Sequence, residues 1–197
     1  MASNHFFKFL LLLVFASMGN HVAFCQKTSF AGLTFTSELT RHTFSRELTR
    51  ANDFRQGVGF TFERQMTTHL GFETGLFYRT DKNEFILTVN ETNYLQSVTE
   101  SYLSLPILLK YYSNFLNVSI GPSVDYFVGW RETSSNSNVK TTSYKTSPRM
   151  NIGIMGKISK AIVLTDHIIL EPEIRFNPVF KYYNYYAGIG IGLKYKL

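Results

Sequence analysis

A single cysteine, Cys25, stands in the 197 residues, close to the N-terminus. One thiol can build neither a disulfide framework nor a multi-thiolate metal site. Proline is scarce, with five residues, and charged residues make up 17 % of the chain. Neither figure suits a proline-rich linker or a charge-driven disordered chain. No apolar run after the first sixteen residues approaches the ~18 consecutive residues of a spanning helix. Charge of one sign is present but nowhere concentrated: the formal net charge of +6 is spread along the chain without a basic run. No nucleic-acid partner is therefore expected. P-loop, nucleophile-elbow and metal-ligand spacings are also missing. No catalytic, cofactor-binding or metal-binding residue is assigned, and no cofactor is expected.

The first 25 residues read as a secretory signal peptide. Lys8 gives a weakly basic start, Phe9 to Ala16 is an apolar core, and Ser17 to Asn20 breaks it. Cleavage after Cys25 uses Ala23 and Cys25 as the small residues and leaves Gln26 as the new N-terminus. Lipidation of Cys25 is the competing reading, opposed by the bulk of Phe24. A retained anchor is opposed by the shortness of the apolar core. The fold argument concerns residues 26–197, one domain by length.

Eighteen phenylalanines and twelve tyrosines favour strands. The clearest is the last: Ala187, Ile189, Ile191, Leu193, Tyr195 and Leu197 alternate with Gly188, Gly190, Gly192, Lys194 and Lys196. Side chains of a strand alternate between faces, so this one is greasy on one side only. The same period predicts seven strands before it, at about 28–36, 55–64, 70–79, 101–112, 115–130, 150–159 and 168–176. Short joints around Gln65–His69, Ser113–Asn114 and Ala161–His167 alternate with longer ones at Ser37–Asp53, Thr80–Glu100, Arg131–Arg149 and Asn177–Asn184. An even strand count with short turns on one rim and long loops on the other is the pattern of an outer-membrane barrel. The predicted fold is all-β: an eight-stranded antiparallel up-and-down transmembrane β-barrel.

A soluble calycin-like ligand-binding barrel shares the alternation but turns it inside out. Two features favour lipid. The polar faces are heavy in Gly, Ser and Asn, which suit a narrow lumen. Aromatics also gather at strand ends: Tyr111, Tyr112 and Phe115 on the short-turn rim, and Trp130, Phe180, Tyr182, Tyr183, Tyr185 and Tyr186 on the other. Inward charges are then expected at Glu63, Glu73, Arg79, Asp125, Lys157, Glu171, Glu173, Arg175, Lys194 and Lys196. Buried charges persist when paired, so a salt-bridge plug centred on Glu171, Glu173 and Arg175 is predicted in place of a polar path. Pro106, Pro122 and Pro172 fall inside strands, where a bulge at each would accommodate the lost donor.

The stretch Tyr102-Leu-Ser-Leu-Pro106-Ile-Leu-Leu-Lys110-Tyr111 resembles a strand of the PorT-like outer-membrane barrels of Bacteroidetes. Leu170-Glu-Pro-Glu-Ile-Arg-Phe176 is similar to the penultimate strand of that family. The resemblance spans about 28–197 and implies a barrel. It implies no catalytic residue, and a role in secretion does not carry over.

The expected location is the cell outer membrane. Expected partners are outer-membrane lipid and lipopolysaccharide, the barrel insertion machinery, and a surface or secretion-system protein, with the barrel itself a monomer. The expected role is structural or interaction-based and not enzymatic. The enzyme alternative acts on lipid or peptide through His42, Ser45 and Asp53 of the first long loop. Asp166–His167 lies at a short turn, where a turn-forming Asp explains it. The repeat Glu38-Leu-Thr-Arg41 and Glu47-Leu-Thr-Arg50 reads as two arms of an extended hairpin.

Overall fold

The computed structural model describes residues 28–41, 50–89, 92–134, 150–180 and 184–197. The leader, and with it Cys25, lies outside the described residues. Nine strands follow in order: β1 Ser29–Arg41, β2 Arg50–Gln65, β3 Leu70–Val89, β4 Thr92–Tyr111, β5 Asn117–Ser134, β6 Met150–Ser159, β7 Ile162–Val163, β8 Ile168–Val179 and β9 Asn184–Lys196. Each pairs antiparallel with its chain neighbour, except that β6 and β7 both pair with β8. Ser159 faces Glu173 and Ile162 faces Leu170, so β7 continues β6 in one register after a break at Lys160–Ala161. Together they form one stave. β1 pairs with β9, and the result is a closed eight-stranded antiparallel barrel.

The pairing can be followed once round. Asn117 leads through Ser159, Glu173, Gly190, Thr36, Gly57, Arg79 and Tyr102 to Phe127, ten residues farther along the starting strand. This stagger is what tilts the staves and fixes the bore of a barrel.

The surface is the reverse of a water-soluble protein. Leu33, Phe35, Phe60, Leu76, Ile120, Ile174, Ile189 and Leu193 are all exposed, whereas Arg55, Arg79, Lys110 and Glu171 are among the largest fully buried side chains. A calycin would bury the first set and display the second. The apolar face meets lipid.

The three short turns share one device. The hydroxyl of Thr67, Ser113 or Thr165 accepts from the backbone N–H three residues on, at 2.9 Å (Leu70), 3.1 Å (Leu116) and 3.1 Å (Ile168). Such a side-chain bond closes the turn locally. The hydroxyl of Thr165, and not Asp166, therefore makes the last one.

Two expectations are corrected. The prolines sit in strands without bulges. Around Pro106, Pro122, Pro172 and Pro178 the register is the same on both sides, and pairing lapses only for a residue or two. Shifts in register occur instead between Arg50 and Asp53 and between Ser101 and Tyr102. The long joints are also shorter than predicted. Thr80–Glu100 is mostly a hairpin, paired out to Val89 and Thr92. Above the lipid the outer face no longer has to be apolar: Lys82 is exposed there while Asp81 and Glu100 stay buried inside, so the stretch carries no apolar period to read.

Candidate functional site

A salt-bridge lattice fills the lower lumen, toward the short turns. The Lys110 ammonium on β4 donates to Glu63 of β2 at 2.8 Å and to Glu171 of β8 at 2.6 Å, with Glu73 of β3 at 3.6 Å. Lys194 of β9 pairs with Glu63 and Glu171 and lies 3.4 Å from Glu73. Lys157 of β6 pairs with Glu73 and lies 3.0 Å from Glu173, whose other oxygen accepts from Arg175 Nε at 2.5 Å. Four carboxylates thus meet four cations, drawn from six of the eight staves. All eight side chains are buried.

Neutral groups finish the lattice. The Tyr112 hydroxyl donates to Glu63 at 2.7 Å, and that of Ser159 to Glu171 at 2.5 Å. Burial first, and the Glu63 carboxylate next, push the Tyr112 phenol upward, so it remains a neutral donor. Gly71 gives it room: a β-carbon there would lie 2.6 Å from the Tyr112 hydroxyl.

Above the lattice lies a more aromatic layer. Arg55 of β2 donates to Asp125 of β5 at 2.7 Å, and its guanidinium stands 4.1 Å from the Tyr186 ring centre. Tyr186 donates to Asp81 at 3.0 Å, and Tyr102 to Glu100 at 2.7 Å. Arg79 lies 3.9 Å from Glu38. Phe77 separates the layers. Its ring sits 4.8 Å from the Arg175 guanidinium and 5.1 Å from that of Arg79, a cation–π bracket on a desolvated ring. Gly59 and Gly75 make its seat, since a β-carbon at either would come within 3 Å of the ring.

The carboxylates of Glu63, Glu73 and Glu171 offer oxygens within 4.8 Å of one another, close enough to chelate a cation. Lys110 and Lys194 already meet their charge from within, so the donor set does not fit a resident metal ion.

Of the predicted inward charges, Glu63, Glu73, Arg79, Asp125, Lys157, Glu171, Glu173, Arg175 and Lys194 are buried in the lumen. Lys196 is exposed, because it is the last residue of β9 at the rim, beside Phe30. Of the predicted centre, Glu171 holds Lys110 and Lys194 at the heart of the lattice, whereas the Glu173–Arg175 pair lies at its edge, and Glu73 is within reach of three lysines. Sequence reasoning missed Lys110, Arg55, Glu38 and Asp81. Lys110 alternates with Leu109 and was legible by parity. The other three fell in stretches read as loop or at a loop edge. Tyr112 and Tyr186, expected in the girdles, turn inward, whereas Tyr111, Phe115, Trp130 and Phe180 are exposed at the rims. Tyr182 and Tyr183 lie outside the described residues.

His42 and Ser45 also lie outside the described residues, and Asp53 pairs with Asn83 near the start of β2. His167 stacks on Tyr195 at 5.6 Å on the short-turn rim.

Residues 53–197 match the family described as the outer membrane protein beta-barrel domain. OprG of Pseudomonas aeruginosa has a similar fold, with a TM-score of 0.58 at 13 % identity over 87 % of this chain and 95 % of that one. Ail of Yersinia pestis gives 0.41 at 6 % identity, over 87 % and 97 %. Neisserial surface protein A gives 0.45 at 11 % identity, over 88 % and 100 %. No curated protein matches the sequence.

Proposed function

The chain belongs to the outer membrane protein beta-barrel domain family, and from that premise we propose that it is a closed, non-enzymatic scaffold presenting its outer loops and the β3–β4 hairpin at the cell surface. The observation that carries this reading is the lattice of four carboxylates and four cations joining six staves across the lumen. A conducting pore would need a hydrated path where these groups bond to one another. Rigid staves under variable loops suit an interaction role, with lipopolysaccharide around the outer rim and a surface or secretion-system protein as partner.

The finer affiliation we infer is with PorT-like barrels, through the Tyr102–Tyr111 and Leu170–Phe176 stretches. Residues 1–25 act as a removable export signal, and residues 26–197 form the barrel domain. The barrel works as a monomer delivered by the insertion machinery, for which the end of β9, with Gly192, Tyr195 and Leu197, supplies the signal.

Planar-bilayer recording tests the closed lumen. The native barrel should give no steady conductance, and joint replacement of Glu63, Lys110, Glu171 and Lys194 by serine should open one. A steady channel from the native protein would overturn the reading.

A further inference from the structure

A groove of about 710 Å³ crosses the lipid-facing wall over β6, β8, β9 and β1. Its sides are apolar: Phe35, Ile158, Pro172, Ile174, Ile189 and Ile191 line most of it. Rows of paired residues climb round this wall from the short-turn rim, as the ten-residue stagger requires. The groove therefore begins near that rim at the turn residue Leu116 and rises toward the middle of the bilayer at Phe35.

Lys160 stands at the rim end of this groove. It is exposed and follows Ser159, the partner of Asn117 at the start of β5. Its ammonium lies 5.5 Å over the ring of Phe115, which is itself 72 % exposed. A lysine laid across an interfacial aromatic keeps its stem in the apolar zone and its charge at headgroup depth. An apolar trough with one cation at its interfacial end is complementary to an acyl chain with an anionic head. Short turns face the periplasm, where the leaflet is built of glycerophospholipid.

We propose that this groove binds one acyl chain of an anionic glycerophospholipid of the periplasmic leaflet, with the headgroup phosphate on Lys160. The site lies on the outer wall and is independent of whether the lumen conducts. Lipid held this way covers the stretch of wall where the β6–β8 ladder is interrupted at Pro172.

Native mass spectrometry of the whole barrel tests it, with the protein released from micelles doped with phosphatidylglycerol or with phosphatidylcholine. One phosphatidylglycerol should be retained in preference. Ile174→Trp fills the trough and should lower occupancy by either lipid about tenfold, the equivalent of losing roughly two buried methylenes. Lys160→Gln should lower phosphatidylglycerol retention about fivefold, the worth of one basic group at an anionic surface, and leave phosphatidylcholine unchanged. Leu76→Trp, on the wall across the barrel, should change neither. Heat-shifted gel mobility confirms that each variant folds, and Ile191→Trp replaces Ile174→Trp if that variant fails. Retention unaffected by the tryptophan, a lipid preference unaffected by Lys160→Gln, or retention of neither lipid by the native barrel would each overturn the proposal.

Discussion

Glu73 and Lys157 are bonded to each other across the lumen although 84 residues separate them in the chain. Glu73 reaches β6 and β9 from β3, and Lys110 beside it on β4 extends the same bonds to β2 and β8. Removing one member leaves charge without a partner in a site closed to water. Glu73→Gln should therefore destabilise the barrel by about 3–5 kcal/mol, as breaking buried pairs does. Replacing both partners, as Glu73→Leu with Lys157→Met, should cost less than the single change. Urea titration of folding into phospholipid vesicles measures both. Equal losses would show that the pair contributes as bulk and not as charge.

The seat of Phe77 makes a second case. A β-carbon at Gly59 would lie 2.5 Å from the ring carbon Cγ and 2.7 Å from the Leu76 carbonyl oxygen. The ring is pinned between two guanidiniums and cannot step aside. Gly59→Ala should cost about 1–3 kcal/mol by overpacking. Phe77→Leu in the same chain should recover part of that loss, because a smaller side chain yields the space. Non-additivity in the same urea titration is the expected signature.

The third expectation concerns the outside. Ile120 is 59 % exposed on the lipid face of β5, next to the inward and fully buried Ser119. Ile120→Arg, three residues above the start of β5 at the short-turn rim, should cost about 1–2 kcal/mol, between the penalty for arginine at the bilayer midplane and that at the interface. Leu164→Arg, at an exposed turn residue below the rim, should cost far less. A soluble barrel would tolerate both exposed sites alike.

Much of this architecture was legible in the sequence because a membrane wall has the strongest contrast a strand can carry. Ile189 and Ile191 face lipid while Gly190, between them, faces Glu173. Contrast fails where the strand leaves the lipid. Asp81 to Glu84 continue β3, yet polar residues on both faces made that stretch read as loop. Glu38 was lost inside the predicted loop Ser37–Asp53, and Arg55 at the first residue of a predicted strand. Tyrosine misleads differently. Its ring is at home in an interfacial girdle and its hydroxyl in a polar lumen, so Tyr111 and Tyr112 differ only by parity at a strand end. The identity of bonded partners was beyond reach: alternation tells which side a charge faces, whereas register decides which stave it meets.

Pro172 and Pro178 lie on the same strand, and both turn their ring nitrogens toward β6. Lys160 N donates to the Pro172 carbonyl at 3.1 Å and Phe180 N to that of Ile152 at 3.1 Å, which sets the alternation, and at each proline the returning bond is missing. The β1–β9 junction, by contrast, is paired without a gap from Phe30–Lys196 to Arg41–Tyr185, and Leu197 N donates to the Ser29 carbonyl at 2.9 Å. The place where the chain's two ends meet is thus stitched more completely than a wall inside one continuous segment. A cylinder of this kind has its topological opening in one place and its mechanical line of weakness in another. Lateral tension should therefore part it between β6 and β8, while the two ends of the chain stay fastened together.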